Sequence, residues 1–321
     1  LLSFFGLLNG KENRSDSISH ELVMKRSAFL IHNPVAGQGD PQVELQQICE
    51  FLEPEFDLDI WLTTKENGAD RLAEAALQAG ASLVVASGGD GTLSATAQAL
   101  VGTDIPLGLI SRGTANAFAK ALGIPETLEG ACQTILQGHT RVVDAANCNG
   151  RRMVLLADIG FGAEMIAHAD RAAKDRFGVM AYILAGMQQL RQLESFQISI
   201  ETEDEIIMGD AVAVTVANTA PITSILAQAP EAVIVDDGLL DVTIVSPETK
   251  AGAIAAGFQL LQSAIRGTAK STSSIDYRSV RAIKIEADPP QKVAVDGEIV
   301  GFTPIEVECI PKGLIVFVPC S

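Results

Sequence analysis

Short apolar runs and helical stretches alternate through the first 140 residues of this 321-residue chain. Ser27–His32, Leu58–Thr63, Ser82–Ala86 and Ile105–Ile110 are rich in aliphatic residues and read as buried strands. Val43–Leu52, Ala69–Gln78, Leu93–Val101, Ala117–Leu122 and Thr127–Leu136 have helical spacing, and Gly80 supplies a stop signal. A β-α alternation of this kind builds a parallel sheet with helices on both faces, and ligands bind at the carboxyl ends of its strands. Three polar, glycine-bearing loops (33–39, 87–92 and 111–116) each come directly after a strand. They should therefore share one rim. One glycine loop is a weak signal; three on one rim point to a nucleotide site.

The middle loop, Ser87-Gly88-Gly89-Asp90-Gly91-Thr92, stands where a strand gives way to an Ala-rich helix. Its glycines let backbone approach a ligand with no Cβ in the way. Thr92 is expected to cap the helix, whose free N–H groups suit an anion. Asp90 conflicts with a phosphate unless it works through Mg²⁺ or orients a substrate hydroxyl. A Gly-rich turn with a solvated Asp is the plainer alternative.

The rhythm changes near residue 140. Thr140–Asn147, Arg152–Ala157, Phe196–Thr202, Ala211–Ala217, Leu239–Val245, Val280–Glu286, Gln291–Val295, Ile305–Cys309 and Leu314–Val318 read as strands, several alternating apolar with polar residues. Helical stretches interrupt them near Ala163–Leu193 and Thr249–Arg266. The expected fold class is thus an α/β nucleotide-binding domain (25–140) followed by an antiparallel, β-sandwich-like domain with helical insertions (141–321), its last segment returning to the first domain. Residues 1–24 form an apolar octet and a polar run, expected to be a disordered tail. Ala251–Ile265 is too short to span a bilayer and reads as a buried helix. Val179–Met187 reads as a core helix, with an apolar substrate cleft or a membrane surface as the alternative.

A formal net charge of −17 gives no long-range attraction for nucleic acid or an anionic bilayer. Five scattered cysteines lack any paired spacing and read as free thiols in a reducing compartment. Four scattered histidines show no zinc-ligand spacing. The expected location is cytoplasmic, with transient peripheral membrane contact. A homodimer is compatible with the sequence, which carries no sign for or against it.

Asn33-Pro34-x-x-Gly37, Gly88-Gly89-Asp90-Gly91-Thr92-Leu93-Ser94, Arg112-Gly113-Thr114-Ala115-Asn116 running on to Leu122-Gly123, Ala229-Pro230 to Asp236-Asp237-Gly238-Leu239-Leu240-Asp241, and Val295-Asp296-Gly297-Glu298 occur in that order. In these motifs the chain resembles the diacylglycerol kinase catalytic-domain family, in particular its bacterial lipid kinases, which also resemble sphingosine kinases. The resemblance runs from about residue 26 to the C-terminus. Its glycine loop alone is shared with NAD kinases and is similar to that of phosphofructokinases. The resemblance implies ATP-dependent phosphorylation of a lipid hydroxyl at a membrane surface, with Mg²⁺, in a site between two domains. It places ATP contacts at Thr64, Gly88, Gly89, Asp90, Gly91, Thr92, Leu93, Ser94 and Thr114; Asn33 and Asn116, in the two flanking loops, are further nucleotide-binding candidates. It gives catalytic roles to Asp90 and to Glu298, the general base. It places a structural Mg²⁺ on the Asp237 side chain and the carbonyls of Ile234 and Leu239. On residue types alone, Asp296-Gly297-Glu298 is a hairpin turn with solvated carboxylates. A Glu base works best with a raised pKa, which burial in a closed cleft could supply.

Two positions depart from the pattern. Many relatives carry Asp where this chain has Ala117, and Arg where it has Lys120. In some, that Asp joins the one matching Asp90 in a metal-linked network, to which Asp144 could contribute here. A kinase for a small soluble molecule such as NAD, and a catalytically weak lipid-binding or regulatory protein, are the alternative readings. The acceptor lipid is not legible in the chain.

Overall fold

The computed structural model describes residues 25–168, 194–229, 233–267 and 271–320. The expected tail, the Val179–Met187 stretch and most of the first long helical stretch lie outside them. The first half forms strands β1 (Arg26–His32), β2 (Phe56–Leu62), β3 (Val84–Gly88) and β4 (Leu107–Ser111). With them run helices α1 (Pro41–Leu52), α2 (Ala69–Gln78), α3 (Asp90–Leu100), α4 (Ala117–Ala121) and α5 (Leu128–Gln137). The strands pair in parallel in the order β2-β1-β3-β4. Local chemistry sets the helix ends. The Asp40 carboxylate accepts from the N–H groups of Gln42 and Val43, with Pro41 just behind it. Thr127 caps α5, and Gly138 ends it at φ 75°. β3 and β4 are buried along their whole length, as the central strands of a sheet covered on both faces must be.

The second half contributes β5 (Thr140–Cys148), β6 (Arg151–Met153), β7 (Leu156–Gly160), α6 (Phe161–His168), β8 (Phe196–Thr202), β9 (Ile206–Ala211) and β10 (Ala213–Ala217). It continues with β11 (Leu240–Val245), α7 (Lys250–Arg266), β12 (Ile275–Val280), β13 (Ala282–Asp288), β14 (Lys292–Val295), β15 (Glu298–Phe302) and β16 (Ile305–Phe317). A six-stranded antiparallel sheet runs β12-β11-β10-β7-β14-β15. It faces the far part of a ten-stranded sheet, where β16, β13, β8 and β9 continue the parallel strands and β5 and β6 pair alongside. Phe196, Ile198 and Ile200 of β8, Val214 and Val216 of β10, and Ile283 and Ile285 of β13 fill the core between these two sheets.

The two sequence runs 305–309 and 314–318 are one strand. β16 crosses Pro311-Lys312-Gly313 through a register irregularity against β5, with Lys312 at φ 56°. Its second half lies beside β4, Val316 opposite Leu107 in parallel. One continuous strand therefore carries backbone pairing from the sandwich into the nucleotide sheet. β9, β12 and β15 were not legible as separate strands. β9 is an exposed edge strand with a glycine, and the chain leaves it at Val212 to enter β10 in the other sheet. α7 is half-buried rather than buried: Ala253, Ala256, Leu260 and Ala264 face the protein, while Ile254, Phe258 and Ile265 are exposed. All five cysteines are unpaired.

One buried carboxyl weakens this fold at neutral pH. Asp158, in β7, is buried and takes a hydrogen bond from the Thr215 hydroxyl at 2.7 Å. Desolvation pushes its pKa from 3.8 to about 6, with the Thr215 bond opposing. A carboxyl raised in the folded state is tolerated when protonated, so its cost develops as pH rises from about 4 through 6 and persists above. The shift corresponds to about 3 kcal/mol. Asp158→Asn is expected to unfold at higher denaturant than wild type at pH 8, with the advantage vanishing near pH 4. Equal stabilities at pH 8 would show that the carboxyl is relieved in some other way.

Candidate active site

The three glycine loops meet on one rim, held by side chains from β1 and β4. Asn33, immediately after β1, donates from Nδ2 to Thr92 Oγ1 at 2.8 Å, and its own N–H donates to the Ser87 carbonyl at 2.8 Å. Its Oδ1 accepts from Val35 N–H, folding the first loop back. Arg112, just after β4, is buried and reaches the same loop. It donates to the Asn33 carbonyl at 3.0 Å and the Ala36 carbonyl at 2.9 Å, and pairs through Nε with Glu44 at 2.6 Å. Its N–H also donates to the Gly88 carbonyl at 2.7 Å. A planar guanidinium spreads five donors over a rigid fork and reaches acceptors on both sides of it, whereas a lysine offers three donors at one point.

Arg112 also touches His32 Nε2 at 3.2 Å, while His32 Nδ1 lies 3.1 Å from Ser87 Oγ. Burial, then the Arg112 charge, lowers the His32 pKa to about 4. The imidazole is therefore neutral at pH 7. With Nε2 facing a donor, it must accept there and carry its proton on Nδ1, toward Ser87. Neither residue was singled out from the sequence, although Arg112 stands inside one of the motifs. Its role as the rivet between loops comes from a long side chain crossing β3.

The glycines are needed where backbones meet. A Cβ on Gly113 would lie 2.9 Å from Gly89 Cα, and one on Gly88 would strike the Thr92 side chain at 2.6 Å. Gly91 faces open space. Helix α3 begins at Asp90 with Gly89 at the cap position, so Thr92 does not cap it. Thr92 lies within the first turn, and its hydroxyl is committed to Asn33. Leu93 and Ser94 are buried, Leu93 in the core of the first half, so what they can offer a ligand is backbone. Thr114 is exposed in its loop. Asn116, in the left-handed conformation at φ 52°, accepts from Gly113 N–H at 2.8 Å. Thr64 is exposed past the end of β2, where its hydroxyl accepts from Glu66 and Asn67 N–H; the neighbouring Thr63 N–H donates to the His32 carbonyl.

Asp90 points at the start of α4. Its Oδ1 accepts from Phe118 N–H at 3.3 Å, and the N–H groups of Ala117 and Asn116 also stabilise its charge. Desolvation is the larger influence and raises its pKa. Ala117 brings no carboxylate here; Asp90 instead acts as an external cap for the short helix that Ala117 begins. Lys120 pairs with Glu126 at 3.1 Å.

Glu298 is the first residue of β15, after the two-residue turn Asp296-Gly297. Both turn residues have positive φ (49° and 85°), the type I′ geometry of an Asp-Gly hairpin. Glu298 itself is not buried in this structure. Its side chain is 67% exposed and pairs with Arg151 at 2.5 Å. The burial falls on Asp296, which the plain hairpin reading left solvated. Its carboxylate accepts from Val154, Leu155 and Leu156 N–H at 2.9, 2.9 and 3.0 Å, and from Gln98 of α3 at 2.7 Å.

The third group of expected residues lies on the turn before β11. Asp237 is exposed, with its Oδ1 accepting from Leu239 N–H at 3.0 Å; Ile234 is exposed and Leu239 half-buried. The buried Asp144 holds the turn by accepting from Gly238 N–H and, from β16, Lys312 N–H, both at 2.7 Å. Arg141 grips Asp236 with two bonds at 2.7 and 2.8 Å. Among the described residues no three His, Cys, Asp or Glu side chains converge on one point. One carboxylate with backbone carbonyls, completed by water, still suits a hard cation that keeps much of its hydration.

Against known families, residues 27–148 match the diacylglycerol kinase catalytic domain, and residues 157–318 match the YegS C-terminal NAD kinase beta sandwich-like domain. The chain belongs to the diacylglycerol kinase catalytic-domain family. Within it, a Stenotrophomonas maltophilia (strain K279a) protein named "Probable lipid kinase YegS-like" is 31% identical, over 82% of this chain and 87% of that protein. The diacylglycerol kinase of Bacillus subtilis (strain 168) is 28% identical over 92% and 97%. A Synechocystis sp. protein described as uncharacterized is 47% identical over 92% and 70%. The crystal structure of a diacylglycerol kinase from Bacillus anthracis str. Sterne superimposes with a TM-score of 0.71 at 23% identity, over 92% of this chain and 97% of that one. That likeness shows a shared fold: an α/β sheet with helices and an antiparallel sandwich-like half.

Proposed function

We propose that this chain transfers the γ-phosphate of ATP to a lipid hydroxyl. The observation that carries the reading is the rim itself: three glycine loops riveted by Arg112 and Asn33, with Gly89 and Gly113 in backbone-to-backbone approach beside the start of α3. Backbone donors fixed this way need no reorganisation when phosphate charge arrives. In this reading Gly88–Ser94, Asn33, Thr64, Thr114 and Asn116 surround the nucleotide. Asp90 orients the transferring end. Glu298 takes the proton of the acceptor hydroxyl once it turns away from Arg151. Asp237, with the carbonyls of Ile234 and Leu239, would hold a Mg²⁺ that steadies this turn. Purified protein should move label from γ-labelled ATP into an organic-extractable product for at least one member of a lipid panel. The panel should include diacylglycerol, monoacylglycerol, phosphatidylglycerol and sphingoid bases, with NAD as a soluble control. Label in NADP and in no lipid would replace this reading with the soluble-kinase one.

Mg²⁺ should raise the melting temperature of wild type but not of Asp237→Ala; an equal rise in both would remove Asp237 from the ion. No described helix is long and apolar enough to cross a membrane. In the proposed reaction α7 meets the lipid surface from outside. It has no acidic residue, carries Lys250 and Arg266 at its ends, and exposes Phe258 (54%) and Ile265 (77%) on one stripe with Ile254. Such a stripe suits the boundary between headgroups and chains. Phe258→Ser should lower co-sedimentation with phosphatidylglycerol-containing vesicles, and unchanged co-sedimentation would exclude α7 as the contact.

A further inference from the structure

The nucleotide rim and the Glu298 hairpin come from opposite ends of the chain, yet a side-chain hydrogen bond joins the elements that carry them. Gln98 lies two turns along α3 from Asp90, about 12 Å by helical rise. Its Nε2 donates to Asp296 Oδ2 at 2.7 Å. Asp296 occupies the first position of the hairpin turn, and Glu298 stands two residues later.

The rest of the Asp296 environment is fully committed. Oδ2 also accepts from Val154 N–H, and Oδ1 accepts from Leu155 and Leu156 N–H. The Asp296 N–H donates back to the Leu156 carbonyl at 2.9 Å. These bonds staple the hairpin tip to the segment between β6 and β7. They fix the hairpin to a segment whose Val154 and Leu155 pack in the core of the first half. The Gln98 amide adds a direct bond from α3 itself, and it does so to a buried carboxylate, where a donated hydrogen bond is strong and directional. Gln98 is not needed to build α3 or the core: it is partly buried, and a helix tolerates many residues at such a position.

We infer that Gln98 and Asp296 form a clasp that sets the Glu298 hairpin against the glycine-loop helix, making both of them positioning residues for phosphoryl transfer. The inference rests on the lipid-kinase reading for its chemical consequence, but the clasp itself is independent of the substrate. A misplacement on the order of 1 Å between base and phosphate can cost about 10²-fold in rate, so a single well-placed bond between the carriers matters. Nucleotide affinity should be spared, because Arg112 and Asn33 hold the rim without Gln98.

Gln98→Met keeps the length of the side chain and removes its donor. Two measurements decide the matter. Amide hydrogen exchange should become faster at residues 154–156 and 292–302 in Gln98→Met; exchange identical to wild type would overturn the clasp. In the lipid phosphorylation assay kcat should fall by about tenfold, the worth of a hydrogen bond to a charged group, while KM for ATP stays within about twofold. A fall in melting temperature with kcat unchanged would make the contact merely structural and overturn its positioning role. A wild type that phosphorylates no lipid would sink the kinase reading, and hydrogen exchange would still decide the clasp.

Discussion

Asp90→Ala is expected to lower lipid phosphorylation by at least about 10²-fold, the usual effect of removing one preorganised electrostatic group from an active site. The residue begins α3 beside Gly89 and Gly91, on the rim where the three loops converge. Its carboxylate also accepts backbone N–H groups at the start of α4, so the Ala variant loses a helix cap as well as a charge. Asp90→Asn separates these roles, because its amide oxygen can still accept from Phe118 N–H. Both variants should be inactive, and Asp90→Asn should melt close to wild type. An Asn variant with near wild-type turnover would assign Asp90 to holding α4 and remove it from the chemistry.

Glu298→Gln should lower the chemical step by about 10²–10⁴, the range for a lost general base, with nucleotide affinity kept. The geometry sharpens that expectation. Glu298 lies exposed against Arg151, so it reaches a hydroxyl only by turning away from that partner. Arg151→Met, which frees Glu298 without altering it, should therefore leave activity near or above wild type. Single-turnover measurements with saturating ATP would isolate the step. A Gln variant that loses ATP affinity but keeps its single-turnover rate would mean that Glu298 serves the nucleotide and not the acceptor.

Much of the architecture was readable because it is local. The strand-loop-helix rhythm of the first 140 residues, the helix from Ala69 to Gln78 and the strand from Phe196 to Thr202 all arise from periodicity and stop signals within each segment. The three loops were readable for the same reason: strands buried on both faces are short apolar runs, and the loop after each is polar and glycine-bearing. The misreadings fall where a neighbour decides. β15 is held against β14, and β9 is an edge strand with little apolar character of its own. Pro311-Lys312-Gly313 looks like a break, but Asp144 catches the Lys312 N–H and β5 carries the pairing through it.

The same division runs through the candidate site. Residue types and order along the chain determined that a glycine-loop rim exists, that Asp90 sits in it, and that Asp296-Gly297 makes a tight turn ahead of Glu298. These depend on backbone freedom and on side chains a few positions apart. Only the tertiary structure decided which carboxylate of that turn is buried, that Arg112 rivets the loops, that Asp90 caps the helix beginning at Ala117, and that Gln98 reaches Asp296. Each of those is a contact between residues far apart in the chain, and its partner is set by how the sheets pack. A carboxylate's charge, exposure and task are properties of its surroundings, and one sequence read alone carries the residue but not the surroundings.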